Sequence, residues 1–232
     1  MTGRTVTLSL EGRAVDLAVR RSARAHNIAL RIDPAKQTPE LVLPAGVSQE
    51  EGLDFVRSRA RWLLDRLAAL PPHVPFCDGA DLPLRDRPHV IVHDPAGRRG
   101  VTVEDARIVV SGRVEHLSRR LHDWLRREAH AAIAPEVRDK AQALGRVPGR
   151  ITIRNQRSRW GSCARSGNLS FNWRLILAPD STLDYVVAHE VAHLAVPNHS
   201  AVFWRAVDGL TPHADAGRKW LRQNGDRLFR YG

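Results

Sequence analysis

Cysteine is almost absent from this chain. Its 232 residues hold only Cys77 and Cys163, too few for a disulfide framework or a cysteine-built zinc knuckle. Any bound metal must therefore be held mainly by histidine and carboxylate. Lysine is scarce as well, with Lys36, Lys140 and Lys219 the only ones. No apolar run approaches the ~20 residues that span a bilayer, so no membrane segment is expected. The opening MTGRTVTLSLEGRAVDLAVRR alternates polar and apolar residues. A secretory signal would show a basic patch, a continuous apolar block and a small-residue cleavage site instead, so a cytoplasmic protein is expected. There is no internal repeat in the residues, no low-complexity tract, and no glutamate after Glu190.

What is present is an ordinary globular composition with a strong positive bias. Apolar residues make up 43% and charged residues 26%, and the length suits one large domain or two small ones. Against 25 Asp+Glu stand 36 Lys+Arg, a net charge of +11. Such a surface favours polyanions, nucleic acid among them. No recognisable nucleic-acid-binding motif accompanies it, and the excess of arginine over lysine fits a coding bias equally well.

Residues 1 to about 45 read as strands: TVTLSL, AVDLAV, IALRID and ELVLP, punctuated by Pro34 and Pro44. Ser48 with Glu51 three residues later forms a capping box. It opens a helix to about Leu70 whose apolar stripe includes Val56, Trp62 and Leu63. PPHVPFCDGADLP breaks it. HVIVHD, VTVED and RIVVSG return to strands, and a long helix follows from about Val114 to Leu144, ended by Gly145. RITIRNQ is a strand, RSRWGSCARSGN a turn-rich loop, and LSFNWRLIL another strand. APDSTLDYVVAHEVAHLAV is a helix with Asp180 or Ser181 as N-cap, and two short helices at about 200–208 and 213–225 close the chain. The expected class is α+β, with a β-rich N-terminal domain carrying one helix at 1–112 and a catalytic domain at 113–232.

Within the third helix stands His189-Glu190-Val191-Ala192-His193. Positions i and i+4 share one helix face, so His189 and His193 can aim two imidazoles at one point. Glu190 flanks that point as a carboxylate able to take a proton from a metal-activated water. Zinc moves the pKa of such a water toward ~7. The other helix positions, Leu183, Val186, Val187 and Leu194, are apolar. Burying two histidines and a glutamate among them is expensive unless they have a partner; a zinc ion would be one.

A catalytic zinc takes three protein ligands and leaves one position for water. With no glutamate after Glu190, a third ligand of that type is excluded. His199, Asp208, His213 and Asp215 remain. His199 gives HExxHxxxxxH, the metzincin separation, and Pro197 and Asn198 suit the turn that must return the chain. Metzincins carry glycine at that turn; Val196 stands there in this chain.

Other candidates surround these residues. The strand 169–177, which precedes the metal helix, is read either as an edge for pairing an extended peptide or as core. Arg159 in the preceding loop is placed to polarise a carbonyl or hold an oxyanion; it and Asn172 are the substrate-binding candidates. Trp160 reads as a packing plug, and Trp62 and Trp124 as core anchors. Cys163 is read as a weak candidate for a Cys–His nucleophile or an inhibitory ligand. Asn198 and Ser200 are candidate hydrogen-bond partners of the ligands, and Phe203 and Trp204 should pack beneath the site. Asp184 is read as a favourable charge near the helix start.

The motifs SRWGSC, N-x-x-x-N-W-R-L, LDYVVAHE-x-x-H and NHS-x-x-FW, together spanning about residues 150–207, closely resemble the YgjP-like metallopeptidase family. RKWL at 218–221 fits the same family, and the N-terminal RSARAHNIALRID does so more loosely. The family is similar in its core to SprT-like and WLM proteases, some of which act on proteins attached to DNA. The resemblance implies a zincin-like domain, Zn2+ held by His189, His193 and His199, and Glu190 as general base. GLTPHADAG at 209–217 departs from the family pattern, so His213 and Asp215 carry no role from it. The expected activity is zinc-dependent hydrolysis of a peptide or protein substrate. Two rivals stay open: a zinc hydrolase acting on a nucleotide or other phosphate ester, and a nucleic-acid- or protein-binding module with structural zinc.

Overall fold

The computed structural model describes residues 4–33, 38–156 and 159–232; the Pro34 break and the Ser158 that opens SRWGSC lie outside them. Contacts divide the chain into two compact units, 1–73 and 74–232.

In the first unit, β1 (Arg4–Leu10), β2 (Arg13–Arg21), β3 (Ala29–Asp33) and β4 (Thr38–Leu43) form one sheet in the order β1-β2-β4-β3. The central pair is parallel and the outer pairs antiparallel. Glu11 and Gly12 take positive φ in the tight β1–β2 turn, a geometry that matches the twist of the strands it joins. Leu8, Leu17, Leu41 and Leu43 bury one face against Leu53 and Val56 of α1 (Gln49–Ser58) and Leu63 of α2 (Ala60–Ala68). The Ser48–Glu51 capping box is present in both directions. The single expected helix is two, because Arg59 leaves helical geometry and its N–H turns to the Val56 carbonyl. Trp62 is 47% exposed and not a core anchor. Its neighbour Leu63, about 100° further round the helix, fills the core instead.

The second unit opens with β5 (Asp81–Leu84), β6 (Arg87–Asp94), β7 (Val101–Glu104) and β8 (Arg107–Ser111), ordered β5-β6-β8-β7. This is the strand order of the first sheet over again, again with a parallel central pair. A repeat absent from the residues is thus present in the topology. Leu82, Ile91, Ile108 and Val110 share one core with Leu121 and Leu125 of α3 (Leu117–Ala143). The contact boundary therefore falls at 73/74, ahead of this strand-rich stretch, where composition alone placed it at 112/113. Trp124 is buried in the same core, and Gly145 takes φ +63 just past the helix end.

A third sheet combines β9 (Ile151–Arg154), β10 (Gly161–Cys163) and β11 (Leu169–Asn172) in the order β10-β11-β9. β10 lies within the stretch read as loop. The expected strand 169–177 stops at Asn172, after which Trp173–Leu177 forms a 3-10 turn that the Asn172 side chain caps. Those five residues are buried whichever backbone they adopt, so apolar content could not distinguish strand from turn.

α4 (Asp180–Ala192), α5 (Ala201–Leu210) and α6 (Ala214–Leu228) complete the chain. α4 packs against α3, α5, α6 and β10. Its N-cap is Pro179, one residue before Asp180 and two before Ser181, the expected caps, with no side-chain capping bond. Asp184 does not act as a helix-start charge. It accepts hydrogen bonds from Lys140 on α3 (2.5 Å) and from the Thr211 hydroxyl after α5. Gly217 brings α6 close: a Cβ there would lie 2.5 Å from that of Tyr185. The fold is α+β, with six α-helices and three mixed sheets among the described residues. None of those helices is long and apolar enough to cross a membrane.

Candidate metal centre

His189 lies in the last turn of α4, and His193 caps the helix while keeping helical geometry (φ −66, ψ −16). The two rings therefore retain the i, i+4 relation. After residues 194–198 the chain returns His199 ahead of α5. Each of the three histidines offers one nitrogen, and the three atoms lie within 4.8 Å of one another. Nε2 of His189 and Nε2 of His199 are 3.1 Å apart.

The surroundings fix these rings. Phe203, fully buried on α5, stacks on His193 at 4.5 Å between centroids and meets His189 and His199 edge-on at 4.9 and 4.7 Å. Nδ1 of His193 donates to the Val196 carbonyl at 3.1 Å, which leaves Nε2 as the basic atom of that ring. Asn198 and Ser200 form no hydrogen bond to the imidazoles among the described residues; the Val196 backbone does so. Nothing in the sequence marks that role, because a carbonyl is common to all residues.

The donor set fits a cation. Burial, reinforced by the charges of His193 and His199, pushes His189 down to about 4. Burial lowers His193 as well, against the pull of its bond to Val196. His189 therefore presents a neutral ring near pH 7, and His193 leans the same way. Two facing nitrogens at 3.1 Å can share only one proton between them. Two nitrogens bound to one tetrahedral ion at ~2.05 Å lie about 3.3 Å apart, close to the spacing seen.

Glu190 is only 7% exposed. Burial raises its carboxyl to about 7, with the charge of Arg159 opposing. It fits because position 161 is glycine: a Cβ there would lie 2.5 Å from Glu190 Cγ and 2.6 Å from Oε1. Gly161 was part of a recognised motif, but its contact across 29 positions could not be read from the chain.

An open cleft of about 670 Å³ is lined by the three histidines and Glu190, by Gly161, Ser162 and Cys163 of β10, and by Arg159 and Arg165. Residues 169–177 do not supply its edge, since β11 lies between β10 and β9. The edge strand is β10. Its register with β11, Gly161 opposite Phe171 and Cys163 opposite Leu169, combines with bonds from Asn172 N–H to the Trp160 carbonyl and from Ala164 N–H to the Asn168 carbonyl. Residues 160, 162 and 164 therefore face β11, and the peptide groups of Gly161 and Cys163 face the cleft.

Arg159 thus stands at the cleft with the histidines and Glu190; Asn172 does not. Asn172 is fully buried, its amide donating to the Gln156 carbonyl and accepting from the Arg174 N–H, so its polar atoms serve the backbone. Trp160 packs on Phe229 at 5.0 Å. Cys163 lines the cleft, but burial and the charge of Glu190 raise its thiol, the opposite of an activated nucleophile. Asp208, His213 and Asp215 lie outside the histidine cluster.

Neither the curated proteins nor the solved structures contain a significant match. The family model described as YgjP-like, metallopeptidase domain matches residues 26–224, and the chain belongs to that family.

Proposed function

We propose that this metallopeptidase-family protein is a zinc-dependent peptidase. In this reading His189, His193 and His199 hold the ion and Glu190 is the general base. The observation that carries it is a buried carboxyl beside three converging imidazoles, in a cleft that a free strand edge also lines. An all-imidazole donor set suits zinc better than calcium or magnesium. Bound there, zinc would supply Lewis acidity, lowering the pKa of water and polarising a carbonyl.

The chain's own residues supply the rest. A peptide lies extended along β10 and exchanges backbone hydrogen bonds with Gly161 and Cys163. Glu190 takes a proton from the attacking water as its oxygen adds to the scissile carbonyl carbon. The same carboxyl delivers that proton to the amine nitrogen as the C–N bond breaks. Arg159, whose charge already reaches Glu190, favours the carboxylate form and so the base.

The test is turnover of quenched fluorescent peptides, and of nucleoside triphosphates in parallel, by zinc-loaded protein and by Glu190→Gln. The expected result is peptide cleavage that falls by ~10³-fold in the variant with zinc retained. Turnover of nucleotides alone would move the reading to phosphate esters. A zinc site indifferent to Glu190→Gln, with no turnover, would make the ion structural.

A further inference from the structure

The edge strand carries a pattern that the reaction itself does not require. Along Arg159-Trp160-Gly161-Ser162-Cys163-Ala164-Arg165 the odd positions alternate with those whose peptide groups pair to β11. In a strand, side chains two apart point to the same face. Gly161 is the position whose missing Cβ leaves room for Glu190, and the Cys163 thiol feels the Glu190 charge. The odd face is therefore the face toward Glu190. Arg159 lies two residues ahead of the strand and Arg165 in the turn just after it, and both line the cleft.

Both arginines are exposed, and among the described residues no hydrogen bond or ion pair to a carboxylate holds either guanidinium. Among the described residues that line the cleft, the one carboxyl is that of Glu190. Elsewhere in the molecule arginines are commonly matched: Arg20 and Arg31 share Glu40, Arg57 bridges Glu50 and Asp54, and Arg85 meets Asp180. Arg165, with no carboxylate bound to it, and Arg159, whose charge reaches Glu190 without a hydrogen bond, flank one substrate-pairing strand and give the cleft a charge preference, and guanidinium forks suit carboxylates bidentately.

We propose that the cleft selects extended peptides bearing an acidic side chain, Asp or Glu, within about two to four residues of the scissile bond, held by Arg165 on one side or Arg159 on the other. This rests on the peptidase reading above and adds its substrate class. Arg159 and Arg165 act as specificity residues: the paired backbone of β10 fixes the register, and the arginines choose which sequence occupies it.

The experiment uses zinc-loaded full-length protein and quenched fluorescent peptides that differ at one position, scanned over four residues on each side of the cleaved bond and filled with Glu, Gln or Lys. At one or two positions kcat/KM should favour Glu over Gln about tenfold, the size of one charge-assisted hydrogen bond at a partly desolvated site, with Lys poorest. The ratio should fall toward one in Arg165→Gln or Arg159→Gln at the position each serves, and Arg165→Glu should turn the preference toward Lys. Because the readout is a ratio within one protein, a variant that merely folds poorly slows both peptides and leaves it unchanged. Binding of the same labelled peptides to zinc-loaded Glu190→Gln, followed by fluorescence anisotropy, is measured alongside. Cleavage with equal rates for Glu and Gln, or a Glu preference that survives both arginine substitutions, overturns the inference and leaves the peptidase standing. Preferential binding of Glu peptides without cleavage overturns the peptidase reading and leaves the acidic recognition standing. Neither cleavage nor preference overturns both.

Discussion

Helix α1 has 10 residues and α4 has 13. α1 begins at a reciprocal Ser48–Glu51 cap, carries Glu50 and Glu51 in its first turn and Arg57 in its last, and buries one stripe, Gly52, Leu53 and Val56. Each feature agrees with the local rules of an amphipathic helix. α4 breaks several of them. No side chain caps its start, it is buried on nearly every side, and it takes a glutamate into that burial beside a half-buried histidine. Its stability comes from outside itself, through Lys140, Thr211 and the close approach of Gly217. The difference shows where this protein has accepted local cost, and the place is the candidate metal centre.

The contrast can be broken most forcefully at the anchorage of α4. Lys140 and Asp184 have side chains only 13% and 17% exposed. Burial pulls Lys140 down, but its hydrogen bonds and charge contacts with Asp184 and, more weakly, Glu136 outweigh that and raise it. Lys140→Met strands a largely buried carboxylate, and the second unit should lose ~3 kcal/mol by chemical denaturation. A loss below that of an exposed ion pair would mean that α4 is held by packing alone.

Gly161→Ala should come next. A methyl group cannot occupy that position without moving Glu190, and a carboxylate displaced by ~1 Å costs about 100-fold in kcat. Zinc content should be unchanged, which separates a shifted base from a damaged metal site.

The cost of burying Glu190 is measurable in metal-free protein. Its carboxyl titrates at about 7 folded against an ordinary 4.5. A group raised in this way favours the fold fully below the lower value, and that contribution disappears as pH rises through the higher one. Measured against Glu190→Gln, the metal-free parent should lose ~2–3 kcal/mol of stability between about pH 4.5 and pH 8. Parallel pH profiles for the two proteins would show that Glu190 is better solvated than its burial indicates.

The smallest effect belongs to α1. Ser48→Ala removes the cap and should cost ~1 kcal/mol in the first unit, with no change in zinc content or in kcat/KM. An effect on catalysis would show that the first unit is more than a self-contained fold.

The contrast also explains which parts were legible from residues. The α1 cap, the N-terminal strands and the His189–His193 spacing are rules of a few consecutive residues, and each appears where the sequence places it. His199 follows from its spacing, HExxHxxxxxH, which favours it over Asp208, His213 and Asp215. What escaped depends on distant partners. Asp184 meets Lys140 across 44 positions, and Gly161 makes room for a residue 29 positions later. β10 is a three-residue strand defined by its pairing with β11 rather than by its composition. Asn172, a substrate-binding candidate inside the N-x-x-x-N-W-R-L motif, has its amide used by the backbone. Trp62 was given to the core on size, and one helical step gave that place to Leu63.

The most direct test of the central claim is metal content by mass spectrometry on the purified parent and on His199→Ala. The account predicts about one zinc per chain in the parent and a clear loss in the variant. Full zinc in His199→Ala, or no transition metal in the parent after zinc is supplied, would contradict it.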